Sequence, residues 1–415
     1  MADLQPIIHI DTLMEELKTL AGISEADPPV VTRVVFSLAD LRARIHVKEL
    51  CLEAGLSVRE DAVGNTFIRW EGPEPDLAPV ATGSHIDAIP NAGAYDGVVG
   101  VLGGLEAIRS LQRAGYQPRR PIELVIFTSE EPTRFGIGCL GSRMLGGVLT
   151  PDQARILRDK HGDSLEVLRT EAGFRGELES VLLAPGHFHA FVELHIEQGA
   201  LLERDGLAIG AVTHIAAPAS LKVEIEGEGG HAGAMLMPDR HDALCGASEL
   251  ILALEAAAKS TGTIDSVATV GICEVFPGAV NSVPSKVRLE TDIRDTDGAR
   301  RDAVIAAMKS AAEEISQRRG VRIAFETVNA DPPATCDPAI VEAVQTAAAA
   351  SGLSSRRMVS RAYHDSLFVA RFAPVAMIFI PCRGGVSHRP DEYSNPEWIA
   401  GGVEVLARTL AQLAK

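Results

Sequence analysis

The 415-residue chain is 46% apolar and 23% charged, a globular composition whose length favours two domains over a single core. A formal net charge of −17 argues against nucleic acid or an anionic membrane surface as the main partner, but not against a small anionic substrate in a locally positive pocket. The start, "MADLQPIIHIDTLMEELKTLAG", has no basic segment leading into an apolar run, and no stretch is long enough to span a membrane, so the sequence predicts a soluble, cytoplasmic protein.

Apolar spacing predicts helices over 8–22 and 33–55. "VATGSHID" (80–87) begins as a short apolar strand and turns polar. "GVVGVLGGLEAIRSLQRAG" (97–115) reads as an apolar helix with Gly115 as its stop. "PIELVIFTS" (121–129) and "HAFVELHIEQG" (189–199) read as buried strands, and the second ends in His and Glu. Strands alternating with helices predict an α/β catalytic domain with a mainly parallel sheet flanked by helices, and ligands of such sheets gather beyond the carboxyl ends of the strands. The texture changes near residue 211. "AIGAVTHIAAPASLKVEIEGEGG" gives two alternating strands, 239–260 a helix, "SVATVGICEVF" and "SKVRLETDIRD" strands, 298–320 a helix, and "VRIAFETV" a closing strand. That pattern predicts a smaller α+β domain over 211–329, inserted into a larger one made of 1–210 and 330–415. Cys51, Cys139, Cys245, Cys273, Cys336 and Cys382 form no C-x-x-C pair and read as packed thiols of a reducing compartment.

Chemistry concentrates in four stretches, "GSHIDAIPNAGAYDG", "TSEEPTRFG", "ELHIEQG" and "GGVSHRPDEY". They offer His85, Asp87, Asp96, Glu130, Glu131, His195, Glu197 and His388, an imidazole and carboxylate set that suits zinc, manganese or cobalt, with room for a carboxylate shared by two ions. Any one of these groups alone is more simply a packed histidine or a solvated loop acid. Their recurrence at predicted strand ends is what favours a metal site. Adjacent Glu130 and Glu131 pose the sharpest question, because two neighbouring carboxylates repel unless positive charge sits between them.

Those motifs, with "FTSEEPTRFGIGCLGSRML", "HIEQGALLE", "GGHAGAMLMP" and "VSHRPDEYS", resemble the amidase branch of the dinuclear metallopeptidase-like amidohydrolases over nearly the whole chain. The branch includes N-carbamoyl-L-amino acid hydrolases, allantoate amidohydrolases and ureidoglycolate amidohydrolases. The resemblance implies two divalent ions, manganese in the first instance with zinc or cobalt as alternatives. It implies that His85, Asp96 and His195 hold one, that Asp96, Glu131 and His388 hold the other, and that Asp87 orients the ring of His85. It makes Glu130 the general base and His231, in "GEGGHAG", the donor to the carbonyl oxygen. Asn281 and Arg294 would grip a substrate carboxylate, and Gln198 would add a polar contact. It further implies a homodimer formed through the inserted domain, hinge closure, and site residues lent by the neighbouring subunit.

Residues 360–388, "SRAYHDSLFVARFAPVAMIFIPCRGGVSH", carry Tyr363 before His364 where carbamoylases and allantoate amidohydrolases usually carry glycine. This stretch and "AAPASLKVEIEGEGGHAGAMLMP" resemble the ureidoglycolate amidohydrolases, which makes Tyr363 and His364 substrate contacts and the substrate a small anionic ureido compound. The plant members begin with a secretory extension not seen here, so a bacterial-type cytoplasmic enzyme is expected. A carbamoylase, an allantoate amidohydrolase, a dipeptidase and a metal-dependent binding protein stay open as alternatives.

Overall fold

A computed structural model describes residues 4–415. The strands Val375–Ile380, Ala190–Ile196, Val80–His85 and Ile122–Phe127 lie side by side in that order, all parallel. Every residue in them is buried, which is why they read as mainly apolar runs, interrupted by polar residues such as Thr82, Glu123 and Glu193, rather than as alternating patterns. Antiparallel strands extend the sheet, Thr66–Trp70 and Ser57–Glu60 on one side and Ile209–Ile215 on the other, and Ala334–Thr335 and Ser355–Ser360, both beside Ile209–Ile215, bring it to nine. Helices Val98–Arg113, Pro338–Ala350 and Pro396–Leu413 pack against the parallel strands. Four parallel strands in register deliver their carboxyl ends to one edge of the sheet, and all four candidate metal stretches follow those ends.

The chain divides into two compact units, one of residues 1–213, 335–358 and 364–415, the other of 214–334 and 359–363. The second unit thus takes in Tyr363, which the sequence reading left in the larger domain, while His364 stays in the first. Within the second unit the antiparallel strands run in the order Val267–Phe276, Lys286–Asp295, Ala217–Glu226, Arg322–Ala330. Alternate residues of the central pair, among them Leu221, Val223, Ile225, Val287, Leu289 and Ile293, are buried in one cluster with residues of the helices Ala243–Ser260 and Gly298–Arg319. The strand period of two explains the alternation read in the sequence.

One helix starts later than its apolar spacing predicts. Residues 31–33 form a short strand, and the helix begins only at Leu38, after Ser37 accepts a hydrogen bond from the backbone of Asp40. Arg33, which is buried, turns its guanidinium onto the carbonyls of Leu20, Ile23 and Ile86, and this ties the segment to the loop that carries His85. The cysteines divide: Cys51, Cys139, Cys336 and Cys382 are buried, whereas Cys245 and Cys273 are exposed, contrary to the reading of all six as packed thiols. Among the described residues no helix is long and apolar enough to cross a membrane.

Candidate metal centre

Each parallel strand hands one or more acids or imidazoles to the shared edge. His85 ends its strand and Asp87 follows it. Glu130 and Glu131 follow Phe127, His195 is the next-to-last residue of its strand, and His388 comes eight residues past Ile380. Asp96 arrives differently, from the loop just before the helix Val98–Arg113. Gly97 makes its approach possible: φ is +65°, and a Cβ there would lie 2.4 Å from Nε2 of His85.

Two donor clusters share Asp96. His85, Asp96 and His195 offer ligand atoms within 4.8 Å of one another, and so do Asp96, Glu131 and His388. Oδ1 of Asp96 lies 3.1 Å from Nε2 of His195 and 3.7 Å from Nε2 of His85. Its Oδ2 lies 3.2 Å from Nε2 of His388, which is also 3.2 Å from Oε1 of Glu131. The two buried rings are oriented by main-chain carbonyls, His85 Nδ1 at 3.0 Å from the oxygen of Asp87 and His195 Nδ1 at 2.9 Å from that of Ile196. Such a bond fixes the tautomer in which Nδ1 carries the proton and Nε2 faces the ligand.

Asp87 acts otherwise than expected. Its carboxylate is 3.8 Å from Nδ1 of His85, while its main-chain oxygen holds that ring. Oδ1 and Oδ2 instead accept from the backbone N–H groups of Glu130 and Glu131, at 3.2 and 3.0 Å. Those two N–H groups, exposed as the strand ends at Phe127, need an acceptor once buried, and Asp87 is the one within reach. One residue therefore couples the His85 loop to the paired glutamates.

Charge in the cluster is concentrated. Burial favours the neutral form of Asp96, but hydrogen bonds with His195, His388 and His85 draw its carboxyl well below the usual range. Hydrogen bonds to Asp96 and Glu131 hold the His388 imidazole up at about 11. Glu130, 7% exposed, is raised well above an ordinary carboxyl, first by burial and then by Glu131 and other acids, against the pull of His85. Its Oε1 accepts a long hydrogen bond from Sγ of Cys139 at 3.6 Å.

Gln198, with φ of +54°, donates from Nε2 to Oδ2 of Asp96 at 2.7 Å, and its buried Oε1 has no protein partner. His364 is 2% exposed, and its ring meets that of His195 edge-on at 4.5 Å. With Glu193 and His195 it forms a third buried group of donor atoms. Glu193 in turn accepts from the hydroxyls of Ser84 and Ser366 at 2.8 and 2.6 Å, and it did not stand out in the sequence. Glu197, offered by the sequence as a further acid, instead caps the helix Leu201–Asp205 by accepting from the backbone of Leu201 and Leu202. Glu392 was also missed, although it lies four residues past His388. It is 5% exposed and accepts from the backbone of Tyr95 and Asp96 at 2.7 and 3.0 Å.

The remaining candidates belong to the second unit. His231 pairs across a short antiparallel ladder with Ser282, and the carbonyl of Asn281 accepts from Ala232 at 2.9 Å, so His231 and Asn281 are neighbours. Gly233 donates to Nδ1 of His231 at 3.1 Å, which leaves Nε2 as the donor of the neutral ring. Arg294 points Nε and Nη2 at the two oxygens of Asp292, both at 2.8 Å, and its guanidinium lies 5.6 Å from the centre of the Tyr363 ring.

Imidazole nitrogens presented as Nε2, with three carboxylates crowded against them, are the donor chemistry of a pair of divalent ions, and the residues present fit one. The fold and this donor set define a metal-dependent hydrolase. The chain belongs to peptidase family M20/M25/M40, whose model matches residues 81–412. It is 53% identical to a ureidoglycolate hydrolase of Oryza sativa subsp. japonica over 98% of this chain and 85% of that one. It is 39% identical to an N-carbamoyl-L-amino acid amidohydrolase of Geobacillus stearothermophilus over 99% of this chain and 100% of the other. A crystal structure of AtUAH in complex with glyoxylate superposes with a TM-score of 0.89 at 52% identity, over 100% of this chain and 99% of that one.

Proposed function

We propose that this protein hydrolyses (S)-ureidoglycolate to glyoxylate, ammonia and carbon dioxide at a dinuclear metal centre. The observation that carries the hydrolytic part is the pair of donor clusters sharing Asp96, with Glu130 buried beside them. The substrate follows the 53% identity to the plant ureidoglycolate hydrolase, against 39% to the carbamoylase. His85, Asp96 and His195 would hold one ion and Asp96, Glu131 and His388 the other. Two divalent ions, manganese by preference, would supply Lewis acidity and lower the pKa of a water from 15.7 toward about 7.

The chain's own groups account for the rest. Glu130 takes the proton of the attacking water, and its raised affinity for that proton lets it pass the proton to the leaving nitrogen. The ureido C–N bond breaks to give carbamate, which falls to ammonia and carbon dioxide, and an amino alcohol, which eliminates ammonia to leave glyoxylate. His231 donates from Nε2 to the carbonyl oxygen as it gains charge. Oε1 of Gln198 accepts from a ureido N–H. Arg294, held flat by Asp292, grips the substrate carboxylate with Asn281, a task for a planar fork rather than a point charge. Tyr363 reads the substrate hydroxyl, with His364 as the second candidate.

The test is ammonia release from ureidoglycolate, allantoate and a series of N-carbamoyl-L-amino acids after manganese reconstitution. Ureidoglycolate should be the preferred substrate by kcat/KM. Faster turnover of an N-carbamoyl-L-amino acid would replace this reading with the carbamoylase one.

We also propose that the protein is a homodimer through the second unit. The strand Val267–Phe276 is an edge ten residues long with one charged residue, and it leaves Val267, Ile272 and Phe276 at 38%, 47% and 37% exposure. Long apolar edges of this kind pair with another chain unless blunted. Ile272→Lys should shift the mass found by light scattering from dimer to monomer, and a monomeric wild type would refute the proposal.

A further inference from the structure

We propose that Glu392 and Ser387 form a brace that positions Asp96, and that the brace sets the affinity of the ion held by Asp96, Glu131 and His388. The inference rests on the dinuclear reading above and adds residues to which that reading gives no part.

Glu392 is remote in sequence from Asp96 yet reaches it at two points. Oε1 accepts from the backbone N–H of Tyr95 and of Asp96 itself, at 2.7 and 3.0 Å. Oε2 lies 3.0 Å from Oγ of Ser387, and that hydroxyl lies 2.7 Å from Oδ2 of Asp96. The main chain of Asp96 is thus tied to Glu392 directly, and its side chain is linked to the same acid through the Ser387 hydroxyl, whose one proton serves one carboxylate at a time. The site is built for it: a Cβ on Gly93 would sit 2.3 Å from Cβ of Glu392, so only glycine lets the acid in. Glu392 is 5% exposed, and a carboxylate so buried is tolerated only when its lone pairs are used.

The brace works on one side of Asp96. It meets Oδ2, the oxygen 3.2 Å from Nε2 of His388, whereas Oδ1 faces His195 and His85. Asp96 comes from a loop rather than from a strand end, so nothing in the sheet fixes its side chain. Partners behind a ligand that hold it in one orientation typically contribute a 10- to 100-fold factor in metal affinity. Glu392 touches neither the reacting atoms nor, on this geometry, an ion. It is a positioning residue.

The experiment titrates manganese into metal-free protein by calorimetry and records the melting temperature of the metal-free forms. Wild type should take up two equivalents; if it takes up none, the dinuclear reading fails and the brace, which rests on it, falls with it. Glu392→Ala should keep one tight equivalent and bind the second roughly 10- to 100-fold more weakly. Glu392→Gln keeps an acceptor for the two N–H groups and offers an N–H to Ser387, so it should stay close to wild type. Ser387→Ala leaves the backbone bonds in place and should weaken the same equivalent by less than Glu392→Ala does. Metal-free melting temperatures should agree for wild type, Glu392→Gln and Ser387→Ala, while Glu392→Ala, which leaves two backbone N–H groups without their acceptor, should melt lower. Two equivalents of unchanged affinity in both Glu392→Ala and Ser387→Ala would overturn the proposal. So would equal losses in Glu392→Ala and Glu392→Gln with the metal-free melting temperature lowered in both, since that marks a residue supporting the fold.

Discussion

Glu130→Gln should retain both metal ions and lose turnover, with kcat down by roughly 10³ to 10⁴, the upper range for removing a general base. Glutamine has the shape of glutamate, and the contacts that fix residue 130 are made by its backbone. Its N–H donates to Asp87 and its carbonyl accepts from Cys139 at 2.7 Å. The substitution therefore leaves the loop in place. It removes only a group that burial holds ready to take a proton. Glu131→Gln should do the reverse in part: its Oε1 is 3.2 Å from His388, inside the second donor cluster, so metal content should fall toward one ion per chain. Elemental analysis beside a rate measurement separates the two. A Glu130→Gln variant with full metal and an ordinary rate would remove Glu130 from the mechanism.

The neighbouring glutamates pose an electrostatic question that the structure answers in layers. Two adjacent carboxylates at a strand end are costly unless their partners differ. Glu131 turns to His388, and Glu130 lies 3.7 Å from Nε2 of His85 on the other side of Asp96. Their backbone N–H groups share Asp87, so the loop is pinned although the side chains diverge. The sequence showed the two acids and the strand that ends before them. It showed Asp87 as well, but not that this third acid holds them.

That division between legible and hidden holds elsewhere. Three of the four parallel strands could be read because burial on both faces keeps them mostly apolar, and the ligands come at or just past their ends; Val375–Ile380 was not read as a strand. The second unit could be read because one buried face imposes a period of two. The hairpin of Ser57–Glu60 and Thr66–Trp70 was not read: at four and five residues it is too short for periodicity to speak. Orientation was hidden throughout. A sequence carries His85 and His195 but not the carbonyls that turn their Nε2 atoms toward Asp96, since every residue has a carbonyl. Glu392 was hidden for a different reason. Its partners, Tyr95 and Asp96, lie almost 300 positions away by separations of 297 and 296, and no local pattern marks such a contact.

Wild-type protein should prefer ureidoglycolate over N-carbamoylglycine by roughly 10⁴ in kcat/KM, and Tyr363→Phe should narrow that gap by slowing the first substrate alone. The two compounds differ by one hydroxyl on the carbon beside the ureido nitrogen. A site built to bond that hydroxyl leaves its own polar groups unpaired when the hydroxyl is missing, and such sites reject the lacking analogue by about 10⁴ to 10⁵. An apolar pocket separates compounds of that size by far less. The Tyr363 ring lies 5.6 Å from the guanidinium of Arg294, so the residue has two possible parts, a phenol for the hydroxyl and a ring face for the clamp. Phenylalanine removes the first and keeps the second, whereas Tyr363→Gly removes both. The hydroxyl reading therefore expects Tyr363→Phe to leave N-carbamoylglycine turnover unchanged, and Tyr363→Gly to slow both substrates through Arg294. If Tyr363→Phe slows both equally, the phenol supports the clamp and not the hydroxyl. If the preference survives Tyr363→Phe intact, the hydroxyl is read by another group. His364 would then have to act from its buried place against His195, and His364→Gln should alter metal uptake along with selectivity, because ring and ligand are in contact.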